Sequence, residues 1–163
     1  MSRIRGEQAV RRGRDRLTKE QRSWNMSRIR GKDTKPEKRV RSLLHRLGFR
    51  FRLHVRIPVP PSTLNPQPST RFVRPDIILP KYKTVIFVHG WFWHRHRGCK
   101  NCTTPTNRRQ WWIAKLEGNA ARDKLHQRAL RKLGWRILVV WECQTEKAKA
   151  LEPLERMLAH LQH

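Results

Sequence analysis

Asp76-Ile-Ile-Leu-Pro-Lys-Tyr-Lys-Thr-Val-Ile-Phe-Val-His89-Gly-Trp-Phe-Trp-His94-Arg-His96 places one carboxylate and three imidazoles around two short apolar runs. The runs have the length and the β-branched, aromatic content of strands. Residues 76–79 therefore read as one strand and 84–89 as the next, with a tight turn at 80–83 between them. Asp76 opens the first strand and His89 ends the second, so the turn brings both to the same sheet edge. A cation, a water and a phosphate could meet there. The surrounding chain is very basic, with 38 Lys and Arg against 12 Asp and Glu and a formal charge of +26. That excess is far beyond what solubility requires and implies a polyanion, nucleic acid first, as partner. Carboxylate, imidazoles and charge together have the composition of a metal-dependent nuclease site.

At 163 residues the chain fits one domain around a single core. No apolar run approaches the roughly 20 residues of a membrane span, and the Arg-rich start lacks the apolar centre of a secretory signal. The expectation is a cytoplasmic protein without membrane contact. Cys99, Cys102 and Cys143 make an odd number with no disulfide framework, which fits a reducing compartment and metal ligation.

Met-Ser-Arg-Ile-Arg-Gly occurs at 1–6 and again at 26–31, and residues 1–17 read as a flexible basic arm ahead of a single domain over 18–163. A helix is expected over 18–30. Thr34-Lys-Pro-Glu37 is a capping box with proline in the first turn, and Val40, Leu43, Leu44 and Leu47 follow at helical spacing, so a helix is expected over 35–47. Gly48 ends it, and 49–54 alternates as a half-buried strand. An insertion at 58–74 carries five prolines by residue 68, cannot supply a sheet ladder and reads as an exposed loop. A helix over 107–133 with Gly118 as a candidate break, a strand over 135–141 with Trp135 and Trp141 in the core, and a closing amphipathic helix over 147–161 complete the order. The fold class is α/β, a mixed central sheet flanked by helices.

Phosphodiester hydrolysis needs an activated water, stabilisation of charge on phosphorus and help for the departing oxygen, and a divalent metal contributes to all three. Asp76 is the natural hard-oxygen ligand, held rigidly where a strand meets a turn. Either His89 or His94 could act as general base near neutral pH, and metal ligation explains such a cluster equally well. The assignment is His94 to proton transfer from water, His89 to phosphate or to support of the base, and His96 to a structural metal.

Asn25-Met26, Lys32-Asp-Thr-Lys-Pro-Glu37-Lys, Arg74-Pro-Asp76, Val85-Ile-Phe-Val-His89-Gly, Phe92-Trp93-His94, the stretch 106–112, Asn119-Ala-Ala-Arg-Asp123 and Leu133-Gly-Trp-Arg-Ile-Leu-Val-Val-Trp-Glu-Cys143 follow one another in an order that resembles the very short patch repair (Vsr) DNA mismatch endonucleases. The resemblance covers about residues 20 to 145. It implies a restriction-endonuclease-like fold of the PD-(D/E)XK type. Asp76 and the backbone carbonyl of Val88 would bind Mg2+, His94 would be the base, and His89 and Glu37 would be supporting site residues. The implied reaction nicks the strand carrying T in a T:G mismatch left by deamination of 5-methylcytosine. Phe92, Trp93 and Trp112 match positions that wedge into the base stack, and Met26 would enter the minor groove from the N-terminal helix. Double-stranded DNA with a T:G mismatch, mismatch-repair proteins and a monomeric state are the implied partners and assembly.

A structural zinc in that family uses a cysteine directly after His-Gly, where this chain has Trp91. His96, Cys99 and Cys143 match the other three ligands, and Cys102 is a candidate fourth because Cys99-Lys-Asn-Cys102 has zinc-knuckle spacing. The altered shell supports an alternative, a catalytically idle protein that binds mismatched or bent DNA. A zinc-containing RNA-binding protein would fit charge and loop but leaves Pro75-Asp76 and the ordered motifs unexplained.

Overall fold

Thr18 and Gln21 cap one another, Thr18 N–H donating to Gln21 Oε1 at 2.9 Å and Gln21 N–H to Thr18 Oγ1 at 3.2 Å, and this starts helix α1 (Lys19–Ser27) in the computed structural model. The structure describes residues 18–28, 31–60, 72–96, 98–99, 102, 104–105 and 108–161. The basic arm at 1–17 and most of the proline-rich insertion, 61–71, lie outside these.

Helix α2 (Lys35–Arg46) begins as its sequence dictates: Thr34 is extended at φ −67° and ψ 160°, its Oγ1 accepts the Glu37 N–H, and the Glu37 carboxylate accepts the Thr34 N–H. The helix stops in a glycine-closed turn. Gly48 takes φ +77°, its N–H reaches the His45 carbonyl and the Phe49 N–H reaches the Leu44 carbonyl, so two otherwise orphaned acceptors are satisfied. Val40, Leu43 and Leu44 are buried as the spacing requires, whereas Leu47 is 36% exposed. It caps the helix instead of continuing its apolar stripe.

Among the described residues six strands follow: β1 (Arg52–Leu53), β2 (Ile57–Pro58), β3 (Phe72–Val73), β4 (Ile77–Leu79), β5 (Thr84–His89) and, after helix α3 (Arg109–Lys132), β6 (Arg136–Trp141); helix α4 (Glu152–Ala159) ends the order. The main sheet runs β1-β4-β5-β6, with β1 and β4 antiparallel, β4 and β5 antiparallel, and β5 and β6 parallel. A 3-10 turn at Pro80–Tyr82 and a left-handed Lys83 join β4 to β5. The parallel β5–β6 pair needs a long crossover, which α3 supplies.

Alternation along the strands divides the core. Ile77, Leu79 and Ile86 pack with Val40, Leu43 and Leu44 of α2 and Leu154 and Leu158 of α4. Ile78, Val85 and Phe87 point the other way, onto Leu130 of α3 and the β2–β3 pair. The observed architecture is thus a mixed sheet with helices on both faces.

Several expectations change in detail. Only Arg52–Leu53 of the stretch 49–54 joins the sheet, as a short edge strand beside β4. Pro58, read as the start of an exposed loop, pairs with Phe72 in a two-residue ladder that closes the base of the insertion. A proline is tolerated at such an edge because the ladder does not require its missing N–H. Helix α3 runs through Gly118 without interruption. The expected helix over 147–161 is instead a 3-10 turn at Ala148–Leu151 followed by α4, where Pro153 sits in the first turn. Among the described residues no helix is long and apolar enough to cross a membrane.

The division between buried stripe and exposed cap is measurable. Leu44→Ala, at a site with 0% exposure, should lower the unfolding free energy in urea by about 2–5 kcal/mol. Leu47→Ala should lower it by less than about 1 kcal/mol.

Candidate active site

Asp76 immediately precedes β4, and the pairing of Ile77 with Ile86 carries it alongside the end of β5. There the Val88 N–H donates to Asp76 Oδ2 at 2.7 Å. A strand residue's N–H and C=O lie on the same side, so the Val88 carbonyl faces the Asp76 side as well. Among the described residues no lysine or arginine pairs with Asp76. Burial pushes its carboxyl above the usual range, the Val88 N–H pulls it down, the Glu37 charge raises it, and His54 and His94 lower it.

His89 ends β5 at 5% exposure. Its ring lies flat against His94, centroids 3.9 Å apart and planes 6° apart, with Trp141 edge-on at 5.3 Å. Burial, and then the charge of His94, depress the His89 imidazole to about 4, so it is neutral at physiological pH. His94 sits in the turn after β5, its N–H bonded to the Gly90 carbonyl, and its Nδ1 meets Asp123 Oδ2 at 2.5 Å. Burial acts to raise the Asp123 carboxyl, but the His94 hydrogen bond and the neighbouring imidazoles outweigh it and hold it below the usual range.

Helix α3 fastens this turn at three points. Asp123 holds His94, Asn119 Nδ2 donates to the Trp93 carbonyl at 3.2 Å, and Glu117 accepts from Arg95 at 3.0 Å. Asp123 closes the motif Asn119-Ala-Ala-Arg-Asp123, to which the sequence alone assigns no side-chain role. The signal was available: Asn119 and Asp123 are four apart and share a helix face.

Glu37 lies beside the site with both carboxylate oxygens engaged, at 4% exposure. Oε1 accepts from Thr34, and Oε2 accepts from the Asp33 N–H at 3.0 Å and from Arg41 at 2.7 Å. Arg41 also bonds Asp33 and lies 3.3 Å from His54 Nε2, so a guanidinium occupies the centre of the Asp33–Glu37–His54 group. The His54 N–H donates to the Asp76 carbonyl at 3.2 Å.

Six of the remaining candidates form two clusters, and Met26 and Cys102 belong to neither. Phe92, Trp93 and Trp112 come together, with Phe92 5.0 Å from Trp93 and 5.4 Å from Trp112. Met26 is on α1, 44% exposed. His96, Cys99 and Cys143 form a second group whose ligand atoms lie within 4.8 Å of one another, and Cys143 Sγ is 3.3 Å from His96 Nδ1. Cys102 is not in this group; its N–H bonds the Cys99 carbonyl. Trp141, expected in the core, is half-buried and stacks on His96 at 4.2 Å, because its pairing with His89 places it at the site end of β6.

The family model for DNA mismatch endonuclease Vsr matches residues 14–62 and 65–101. The chain is similar to the type II nicking enzyme V.XorIIP of Xanthomonas oryzae, 45% identical over 138 residues that cover 85% of this chain and 91% of the relative. It is 37% identical over 149 residues to the type II nicking enzyme V.NmeAIP of Neisseria meningitidis, covering 90% of this chain and 96% of the relative. With the DNA mismatch endonuclease Vsr of Escherichia coli it shares 39% identity over 122 residues, 75% of this chain and 69% of that protein. The carboxylate at the head of β4, the paired imidazoles after β5 and the matches on either side of them agree on one placement: the chain belongs to the DNA mismatch endonuclease Vsr family.

Proposed function

We propose that this protein is a Mg2+-dependent endonuclease that nicks the strand carrying T at a T:G mismatch of the kind left by 5-methylcytosine deamination. The observation that carries the reading is the meeting of the Val88–Asp76 bond with the His89–His94–Asp123 array beside three clustered aromatic rings. Asp123 accepts from Nδ1–H of His94, which leaves Nε2 free to take a proton from an attacking water. His89 is too buried to serve a phosphate well, and its neutral ring buttresses the base by stacking. Glu37 contributes its charge and its cap, fixing α2 against the Asp76 segment.

The donor set at Asp76 suits a hard cation: a carboxylate without a basic partner and a backbone carbonyl on the same side. Asp76 and Val88 would hold Mg2+, which supplies positive charge against that developing on the phosphoryl oxygens. Phe92, Trp93 and Trp112 would replace stacking lost when the step at the mismatch opens, and Met26 would reach the minor groove from α1. His96, Cys99 and Cys143 are soft donors that suit zinc as a structural ion, with Cys102 as the candidate fourth ligand. Mismatch-repair proteins are the partners this reading implies, with the protein itself acting as a monomer.

One observation favours a second reading. Among the described residues the thiol and imidazole group holds three ligands, His96, Cys99 and Cys143, which fits an idle mismatch-binding protein whose metal support has weakened. Incubating the protein with Mg2+ and either a T:G or a matched duplex separates the two, since a nick confined to the T strand belongs only to the enzyme.

His94→Ala should slow nicking by roughly 10²- to 10⁴-fold, and Asp76→Ala at least as much, while a gel shift with mismatched duplex persists. Asp123→Asn should slow it by roughly 10- to 100-fold through loss of the orienting bond. Parental rates in the Asp76 or His94 variant would remove the site assignment.

Metal analysis of purified protein should find zinc lost from Cys99→Ala and Cys143→Ala. Zinc unchanged in Cys102→Ala would take Cys102 out of the shell.

A stability difference should also follow pH. The His89 imidazole stays neutral in the fold down to about 4, while in the unfolded chain it gains a proton below 6.5. The unfolded state therefore binds more protons in that window, so stability present above pH 6.5 is lost as pH falls toward 4, by on the order of 3 kcal/mol. Asp76, with its raised carboxyl, acts in the opposite sense. The His89 contribution is the difference in thermal stability between parent and His89→Phe across the window, and a difference independent of pH would contradict it.

A further inference from the structure

Helix α3 carries a second surface that the chemistry above does not use. Trp111 is 50% exposed although its neighbour Trp112 is packed into the aromatic cluster, the two rings meeting edge-on at 4.8 Å. Arg108, three residues before Trp111, lies 6.0 Å from its ring, and Lys115, four residues after, lies 5.5 Å from it. Lys115 shares the Trp111 face of the helix at i+4, and Arg108, the left-handed residue that caps the start of α3, is brought to the same face by its contact with the indole. The same face continues through Gly118, where an added Cβ would meet nothing within 4 Å, to Arg122, which is exposed. From Arg108 to Arg122 is about 21 Å along the axis, roughly six base steps of duplex.

Among the described residues no acid pairs with Arg108, Lys115 or Arg122, and Arg122 donates to the neutral amide of Asn119. The only acids of α3 are Glu117 and Asp123, and both are engaged elsewhere, by Arg95 and His94. What remains is cation, exposed indole, cation, glycine, cation. The cations match phosphates, the indole offers a flat apolar surface, and the glycine permits close approach of a backbone.

We propose that the face of α3 bearing Arg108, Trp111, Lys115, Gly118 and Arg122 is a track that grips the DNA backbone beside the mismatch, with Trp111 packed on deoxyribose. This rests on the reading of the protein as a mismatch endonuclease. It adds a division of labour between adjacent residues: Trp112 enters the stack and discriminates, whereas Trp111 holds the flanking strand regardless of sequence. Its position at the rim of the aromatic cluster fits that role, because the grip then bears on the strand next to the opened step.

Fluorescence anisotropy with a T:G duplex and a matched duplex, without divalent cation, tests the track. Trp111→Ala should weaken binding to both duplexes by the same factor, roughly tenfold. Trp112→Ala should weaken the mismatched duplex more than the matched one. Lys115→Gln should reduce the slope of log affinity against log salt by about one. Gly118→Glu adds a carboxylate in open space and should weaken both duplexes, which keeps the test decisive if Trp111→Ala proves unstable. Parental affinity of Trp111→Ala and Gly118→Glu for both duplexes, or a loss confined to the mismatched one, overturns the track. A parent protein that binds but does not nick the mismatched duplex once Mg2+ is added would overturn the proposed reaction and leave the track to be judged on binding; a parent that binds neither duplex overturns both.

Discussion

The hydrogen bond from the Val88 amide to the Asp76 carboxylate can form only in one register of β4 against β5, the one that pairs Ile77 with Ile86. The same register sends Ile77 and Leu79 to the α2 and α4 face and Ile78 to the α3 face. A slip of one residue would reverse all three and expose the core while removing Val88 from Asp76. Stability therefore enforces the site: the apolar pattern that selects the register also selects the position of the acid. The pairing of β5 with β6 extends this constraint, since the match of His89 with Trp141 sets one indole against both His89 and His96.

A sheet register cannot by itself orient His94, which lies in irregular chain beyond β5. That work falls to α3, the crossover that the parallel pair requires. Its residues 117, 119 and 123 tie down Arg95, Trp93 and His94, a side chain, a carbonyl and an imidazole in one short turn. Because α3 must be present for β5 and β6 to be parallel, the support of His94 is built from an element the topology already demands. Preorganisation of this kind keeps a single imidazole tautomer facing the carboxylate without a dedicated loop.

Local chemistry was legible where the effect is local. Thr34 and Glu37 announce the start of α2, Gly48 its end, and the two runs around Pro80 announce adjacent strands that carry Asp76 and His89 together. Family resemblance supplied the joint reading of Asp76, Val88 and His94. What could not be read depends on contacts between distant segments. Pairing of Ile57–Pro58 with Phe72–Val73 spans the insertion, and nothing in a proline-rich composition signals it. The flat stack of His89 on His94 and the removal of Trp141 from the core to the site arise from strand ends meeting in space. Knuckle spacing put Cys102 beside Cys99, yet the group formed with His96 and Cys143 includes Cys99 alone of the two. Short sequence separation does not fix where a thiol points.

So basic a chain nevertheless leaves Asp76 without a basic partner among the described residues. Arginine and lysine number 38, and the acids near the site are mostly claimed: Asp33 and Glu37 by Arg41, Glu117 by Arg95, Asp123 by His94. Asp76 has the Val88 N–H and the distant pull of two imidazoles, against burial and the charge of Glu37, which together raise its carboxyl. A lysine or arginine placed there would relieve the cost of burial and would also fill the position a divalent cation needs. Arg41 comes close enough to neutralise Glu37 but is held away by its bonds to Asp33 and Glu37. The cost of burying Asp76 thus persists because Arg41 is held by Asp33 and Glu37, and under the proposed reaction a divalent cation would offset it. Under that reaction, a divalent cation at Asp76 and DNA phosphates on the basic surface would reinforce each other's binding, since each would bring the charge the other lacks.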